Sequence, residues 1–374
     1  MRILQVARQF YPKVGGIESC VLNLSRGLTA RGHHVEVVTL DRDLLTKRRL
    51  DAPDEIDSIA IHRIPYFGPR RYPVAPSWIR FVDDFDVIHV HAIDFFIDSA
   101  ALASWTRVLR KPVVVTTHGG IFHTTAWRTL KNLYWRFILK RTINKAAAVV
   151  AVSERDASLF GSIVLPQKLV TIPNGIDPMF SAARAPRVRG RLVSVGRVTA
   201  AKRIDRVIKL LGILAREGAR VELVIAGPLE ADAVEVLKGE ARKLGVESRV
   251  QIVGELPLEE LATLVAGAHL FVSAASHEGF GITTVEALSA GVPVLVTRTG
   301  IHEQVVRPGV NGWFWSGQPD ADAAETLRQA LLLPDARLDE MQIAARKSAL
   351  PFDWKLATEK YEHVFESAHR KSVR

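Results

Sequence analysis

Two carboxylates eight residues apart, Glu278 and Glu286, bracket the run His277-Glu278-Gly279-Phe280-Gly281-Ile282-Thr283-Thr284-Val285-Glu286-Ala287. Gly279 and Gly281 stand where an apolar strand gives way to a helix expected to begin near Ile282. Glycines at such a junction let backbone N–H groups come close to a ligand, and a helix N-terminus favours anions such as a diphosphate. Glu278 would lie in the loop at the helix mouth, and Glu286 about one turn in. Carboxylates accept hydrogen bonds from sugar and ribose hydroxyls, so the pair could grip a nucleotide sugar at both ends. On spacing alone, a solvated pair of acids fits equally well.

A second set of residues is cationic. Gly196-Arg197 ends a strand, and Lys202 follows five residues later. A guanidinium fork and an ammonium suit a diphosphate and would stabilise it as it becomes a leaving group; two solvated surface cations are the alternative. Gly15-Gly16, after the first strand, offers a phosphate-approach loop or a plain turn. His118, in Thr116-Thr117-His118-Gly119-Gly120, ends an apolar strand and precedes a loop. That position suits a ligand contact or a structural imidazole. Asp41-Arg42-Asp43 has the form of a metal–diphosphate pair but runs into Leu44-Leu45-Thr46-Lys47-Arg48-Arg49 and reads as a solvated loop. His89-x-His91 would need a third ligand at suitable spacing to hold zinc. No Gly-x-Ser-x-Gly or Walker pattern occurs, and neither a metal nor a cofactor is expected.

These residues need elements to position them. Apolar runs predict strands over 2–7, 35–40, 86–90, 112–117 and 147–152, separated by helix-like segments of which 18–30 is the clearest. The turn-rich Pro173-Asn174-Gly175-Ile176-Asp177-Pro178 and the aperiodic stretch after it form a connector. The pattern then restarts, with strands over 192–195, 221–226, 250–253, 270–272 and 292–296 and a helix over 204–215. Strands alternating with helices predict an α/β chain of two Rossmann-like halves with a cleft between them. The expected boundaries are 1–178, a linker at 179–190, 191–352, and a last amphipathic helix within 353–374. That helix, over 355–366, could pack on either half.

Taken together, these residues resemble the retaining glycosyltransferases of family 4, whose GT-B fold has two facing Rossmann-like domains, with the final helix crossing back to the N-terminal domain. The resemblance implies that Arg197 and Lys202 clamp the donor diphosphate, that Glu278 holds hydroxyls of the donor sugar, and that Glu286 holds the ribose. It assigns Gly279, Phe280, Gly281 and Ile282 to backbone contacts with sugar and phosphate, and Gly15 and Gly16 to the N-terminal glycine loop. His118 would reach the transferred sugar, so that His118, Glu278, Arg197 and Lys202 form the catalytic set; Tyr11, His118 and His123 would meet the acceptor. Arg203 stands where the family often has a glycine. A closer likeness lies in Val6-Ala7-Arg8-Gln9-Phe10-Tyr11-Pro12, Arg71-Tyr72-Pro73-Val74-Ala75-Pro76-Ser77, His91-Ala92-Ile93-Asp94-Phe95-Phe96 and Thr117-His118-Gly119-Gly120-Ile121-Phe122-His123-Thr124. These stretches look like the family members that move mannose from GDP-mannose to lipid-linked cellobiose in exopolysaccharide assembly. The resemblance implies a metal-independent enzyme with GDP-mannose as donor and a polyprenyl-diphosphate-linked oligosaccharide as acceptor. No motif reads guanine against uracil, so a donor such as UDP-glucose stays open.

Composition bounds the setting. The 374 residues are 48% hydrophobic and 24% charged, with 50 Lys+Arg against 40 Asp+Glu, a formal net charge of +10. A single cysteine, Cys20, excludes a disulfide framework. With no leader-like N-terminus, and with its longest apolar run, around 146–152, far short of the roughly 20 residues of a membrane span, the chain reads as soluble. Residues 101–150 carry Arg107, Arg110, Lys111, Arg128, Lys131, Arg136, Lys140, Arg141 and Lys145, three tryptophans, and no Asp or Glu. Such a face could meet nucleic acid, an anionic membrane or a phosphate-rich substrate. At 100° per residue, Arg128, Arg136 and Lys140 oppose Leu130, Tyr134 and Phe137, which describes a core-facing stripe with a basic back. Beside the resemblance, Arg128, Lys131, Arg136 and Lys140 are expected to face an anionic lipid surface rather than nucleic acid, placing the protein peripherally on the cytoplasmic face of the membrane.

Overall fold

Short aliphatic runs closed by Gly, Pro, Ser or Asp fold as strands buried on both faces, and the amphipathic segments between them fold as crossover helices. The computed structural model describes residues 1–12, 15–44, 46–50, 53–70, 72–119, 128–229 and 231–373. The chain forms two units, Met1–Gly175 with Trp354–Arg374, and Ile176–Asp353.

The first unit holds β1 (Arg2–Val6), β2 (His34–Leu40), β3 (Glu55–Ile56), β4 (Ile59–Ile64), β5 (Val87–His91), β6 (Val113–Thr116), β7 (Ala148–Ala151) and β8 (Leu169–Thr171). Their order is β3-β4-β2-β1-β5-β6-β7-β8, parallel throughout except for the β3–β4 pair. Alternation along β1 sends Leu4 and Val6 to one core, with Val38, Val90, Trp78 and Phe96, and Ile3 to the other, with Val35, Val87 and Val114. The second core is closed by helix α1 (Gly16–Ala30) and the C-terminal helix (Trp354–Val373), whose Tyr361 and Phe365 are fully buried. Each such ring contributes about 1.5–3 kcal/mol by leaving water. Glu362 of that helix meets Arg31 at 2.6 Å and His33 at 2.7 Å.

The second unit holds β9 (Arg191–Val195), β10 (Glu222–Ala226), β11 (Val250–Gly254), β12 (Leu270–Ser273), β13 (Val294–Val296) and β14 (Gly312–Phe314), in the order β11-β10-β9-β12-β13-β14. Helix α2 (Ile204–Arg216) buries Val207, Ile208, Leu211 and Leu214, one face at helical spacing. In each sheet, successive connections leave a central strand in opposite directions, on either side of β1 and β5 in one and of β9 and β12 in the other. Open α/β sheets bind ligands beyond the carboxyl ends of the strands at such a point.

Several local expectations are corrected. Strands β3, β4, β8 and β14 lie outside the predicted apolar runs: β4 carries His62 and Arg63, and β3, β8 and β14 have only two or three residues each. Helix α1 begins at Gly16, two residues earlier than its apolar spacing implied, because the Gly15 carbonyl already accepts the Ser19 N–H at 2.8 Å. Asp41 and Asp43 are buried rather than solvated: an Arg42–Arg49 bridge folds the loop over, and Asp43 Oδ1 accepts the Thr46 N–H at 2.6 Å. The basic segment departs from 100° per residue, since Tyr134–Leu139 is a π-helix between Arg128–Leu133 and Lys140–Ile143. Trp135, Leu139 and Ile143 are therefore buried, while Leu130 and Phe137, expected in the core, stand 57% and 51% exposed.

Candidate active site

In the second unit the chemistry gathers past β9 and β12. Gly196 follows β9 with φ +138°, and a Cβ there would lie 3.0 Å from Lys202 Cε, so the lysine chain lies across bare backbone. Lys202 Nζ donates to Glu278 Oε1 at 2.6 Å, with side-chain exposures of 21% and 14%. The sequence proposed that these two residues share a ligand, and the fold pairs them directly. Arg197 is exposed and makes no hydrogen bond or ion pair among the described residues. Arg203, at the position where a glycine is common in the family, has left-handed φ +50° and is braced by two 3.1 Å hydrogen bonds to Asp205. That conformation is the physical reason for a glycine there.

Helix α3 (Ile282–Ser289) starts directly beyond the Glu278 loop. Gly281, its N-cap, has φ +99°, and a Cβ would lie 2.8 Å from His302 Nε2; a Cβ on Gly300 would strike the Phe280 carbonyl. Ile301 N–H donates to that carbonyl at 2.7 Å. His302, fully buried, donates from Nδ1 to the Thr297 carbonyl at 2.7 Å, leaving Nε2 to accept the Thr284 hydroxyl at 2.9 Å. The Gly300-Ile301-His302 turn thus holds the Glu278–Gly281 loop against the helix mouth, a bracing role that residue types alone did not reveal. Phe280 is buried with its ring edge-on to Phe352 at 5.9 Å, which fixes the loop from the other side. Glu286 lies one turn into α3. Burial, then the nearby Asp177, push its carboxyl up to about 8, with Lys202 pulling the other way.

In the first unit, Gly15 and Gly16 form the start of α1; the Glu18 carboxylate occupies the place a Gly15 Cβ would take, while the space around Gly16 is open. Tyr11 is half-buried and its carbonyl accepts from Arg63 at 2.8 Å. His118, two residues past β6, has left-handed φ +50° and is half-buried; burial pushes its imidazole down to about 4, so it is neutral near pH 7. His123 lies outside the described residues. Past β1 and β5, Arg8 Nε meets the fully buried Asp94 carboxylate at 3.2 Å, a pair the sequence did not signal. Cys20, His91 and His118 bring one potential ligand atom each within 4.8 Å of one another. Burial pushes the Cys20 thiol up to about 12, so it is a protonated S–H directed at Asn174 Oδ1, 3.5 Å away.

Of the basic positions, Arg136 and Lys140 are exposed, and Lys131 is half-buried; the side chain of Arg128 is outside the description. Arg136 lies 5.9 Å from the ring centre of the exposed Phe137, and Leu133 and Ile138 are each 50% exposed nearby in sequence. The structure therefore puts apolar and basic side chains together on solvent rather than on opposite faces. No helix among the described residues is long and apolar enough to cross a membrane.

Residues 14–180 match the family model described as Glycosyltransferase Family 4, and residues 181–348 match the one described as Glycosyl transferases group 1. The GDP-mannose:cellobiosyl-diphosphopolyprenol alpha-mannosyltransferase of Komagataeibacter xylinus is 33% identical over 98% of this chain and 93% of its own. The protein of the same name from Xanthomonas oryzae pv. oryzae is 34% identical over 98% and 97%. Sucrose-phosphate synthase from Thermosynechococcus elongatus superposes with a TM-score of 0.79 over 98% of both chains at 18% identity, a likeness of fold. With two Rossmann-like units and these full-length relatives, the chain belongs to the family 4 glycosyltransferases and is a glycosyltransferase of the GT-B fold.

Proposed function

We propose that this chain is a retaining, metal-independent α-mannosyltransferase that moves mannose from GDP-mannose onto a polyprenyl-diphosphate-linked, cellobiose-like oligosaccharide in exopolysaccharide assembly. The observation that carries this reading is the Lys202–Glu278 pair at 2.6 Å, held past the central strands beside the mouth of α3. The names and full-length identity of the two bacterial relatives support the donor and acceptor.

In this reading Lys202 turns from Glu278 to the diphosphate, the free Arg197 guanidinium joins it, and the backbone of Gly279, Phe280, Gly281 and Ile282 approaches sugar and phosphate at the helix N-terminus. These charges stabilise the departing GDP, the task a divalent metal performs in other transferases. Glu278 accepts from mannose hydroxyls. Glu286, protonated at neutral pH, can donate to the ribose as well as accept from it. Gly15 and Gly16 approach phosphate at the start of α1. The acceptor oxygen bonds to the anomeric carbon on the face from which the phosphate oxygen leaves, and the hydroxyl proton passes to that phosphate. His118, neutral, is assigned a sugar hydroxyl; Tyr11 and His123 are assigned to the acceptor.

The exposed Leu130, Leu133, Phe137 and Ile138, with Arg136, Lys140 and Arg141, support docking on the cytoplasmic face of an anionic membrane: apolar side chains enter the headgroup layer and cations meet lipid phosphates. Nucleic acid is not a partner in this reading. A thermal-shift panel of GDP-mannose, UDP-glucose, UDP-galactose and the nucleoside diphosphates tests the donor, because a bound ligand raises the melting temperature by mass action. Stabilisation by GDP and GDP-mannose is expected; a response to UDP-sugars with none to GDP would refute the donor assignment.

A further inference from the structure

Beneath His118 lies a buried polar network for which the proposed chemistry has no direct use. His91, the last residue of β5 and fully buried, sits with Nδ1 3.1 Å from His118 Nε2 and Nε2 2.7 Å from Gln5 Oε1 of β1. The two imidazoles are nearly parallel, 22° apart. His89, also buried, packs against His91 with ring centres 4.1 Å apart and planes tilted by 49°, and is tied through Thr116 Oγ1, at 2.8 Å, to the Tyr361 hydroxyl, 3.1 Å further on. Gln5 Nε2 and His89 Nδ1 have no hydrogen-bond partner among the described residues. An aliphatic core would carry no such unsatisfied polar atoms, and buried groups of this kind point to a role other than packing.

We infer that His91 is a positioning residue that sets which nitrogen of His118 faces the sugars. The inference rests on the assignment of His118 to a sugar hydroxyl. Gln5 Oε1 can only accept, so His91 Nε2 carries the proton and its Nδ1 holds a lone pair. That lone pair takes the Nε2–H of His118. His118 Nδ1 then presents a lone pair, and it makes no hydrogen bond among the described residues. A neutral imidazole locked this way accepts from a hydroxyl and cannot donate to one, which defines the direction of the bond a sugar must offer. The backbone is held equally firmly. Left-handed φ +50° at His118 is flanked by Thr117 Oγ1 and the Gly119 N–H, both donating to the buried Asp156 carboxylate. Strain of this kind persists where neighbours over-determine it, commonly at functional positions.

Imidazole nitrogen NMR on the full chain tests the tie without an activity assay. His118 is expected as one neutral tautomer protonated on Nε2, and His91→Phe should convert it to an averaged mixture. In steady-state transfer from GDP-mannose, His91→Phe should lower kcat about tenfold to a hundredfold, the scale of a small misplacement, while the donor KM changes less than about twofold. His91→Asn, whose amide oxygen can stand at the Nδ1 position, should recover most of that loss. A His118 ring protonated on Nδ1, or already mixed in the wild type, overturns the tie, as does wild-type kcat in His91→Phe. Undiminished transfer by His118→Ala would instead overturn the role of His118 itself, and with it the catalytic consequence for His91.

Discussion

Replacing Lys202 with alanine separates a diphosphate clamp from a structural ion pair. At 2.6 Å and mostly shielded from water, the Lys202 and Glu278 charges attract by a few kcal/mol at the effective dielectric of a protein surface, much of it offset by desolvation. Their net coupling in a double-mutant cycle should be about 1–3 kcal/mol, as for other contacting residues. Lys202→Ala leaves Glu278 uncompensated and facing the incoming diphosphate, so it should weaken GDP by about tenfold to a hundredfold, or about 1.4–2.8 kcal/mol. Glu278→Ala should behave oppositely towards GDP: it frees Lys202 and removes a repelling carboxylate, so GDP binds as well as or better than in wild type, while mannose transfer collapses. Titration calorimetry with GDP on both single variants and the double variant reads these signs directly. Wild-type GDP affinity in Lys202→Ala, or equal losses in both singles that vanish in the double, would refute the clamp and leave a purely structural pair.

Gly281→Ala and Gly300→Ala should each lower the melting temperature, since left-handed φ costs an alanine about 1–2 kcal/mol before the contacts with His302 and the Phe280 carbonyl are added. Gly16→Ala, in open space within a helix, should instead stabilise by about 0.5–1 kcal/mol in thermal unfolding while weakening GDP-mannose binding, if backbone approach to phosphate is what the glycine provides. Glu286 keeps its proton to about pH 8 in the folded chain against an ordinary 4.5, so the native state binds more protons across that interval. Its contribution is favourable at the acid end and is lost as pH rises from about 4.5 to 8; denaturant melts should show that loss and Glu286→Gln should flatten it. Charge reversal at Arg136 and Lys140 should reduce sedimentation with anionic vesicles at low salt while leaving GDP affinity intact, and undiminished sedimentation would remove the membrane assignment.

Much of the architecture was legible because period and punctuation agree. The central strands appear within about two residues of where their apolar runs place them; the cation and carboxylate motifs fall past β9 and β12 of the second unit, and the glycine pair and His118 past β1 and β6 of the first. Elsewhere tertiary context overrides the local pattern. The adjacent His62 and Arg63 break the apolar run of β4, and the acids at 41 and 43 are drawn inside by turn hydrogen bonds that no composition argument weighs. In the basic helix, the widened turn over 134–139 shifts the side chains after it off helical spacing, so Phe137 of the apolar stripe falls on the solvent side while Tyr134 packs against the core.

Residue types and their order suffice for the alternation of strand and helix, for glycines where backbone must come close or turn left-handed, and for which side chains carry charge. Those are properties of a few neighbouring residues. Contacts between distant segments are a different matter: that Lys202 meets Glu278 across 76 positions, that His302 braces the Gly281 turn, and that Gln5, His91 and His118 form one chain of hydrogen bonds. Each depends on strand order and register, which set which side chains stand on adjacent strands about 4.8 Å apart. Register is a property of the whole sheet, and no window of sequence contains it.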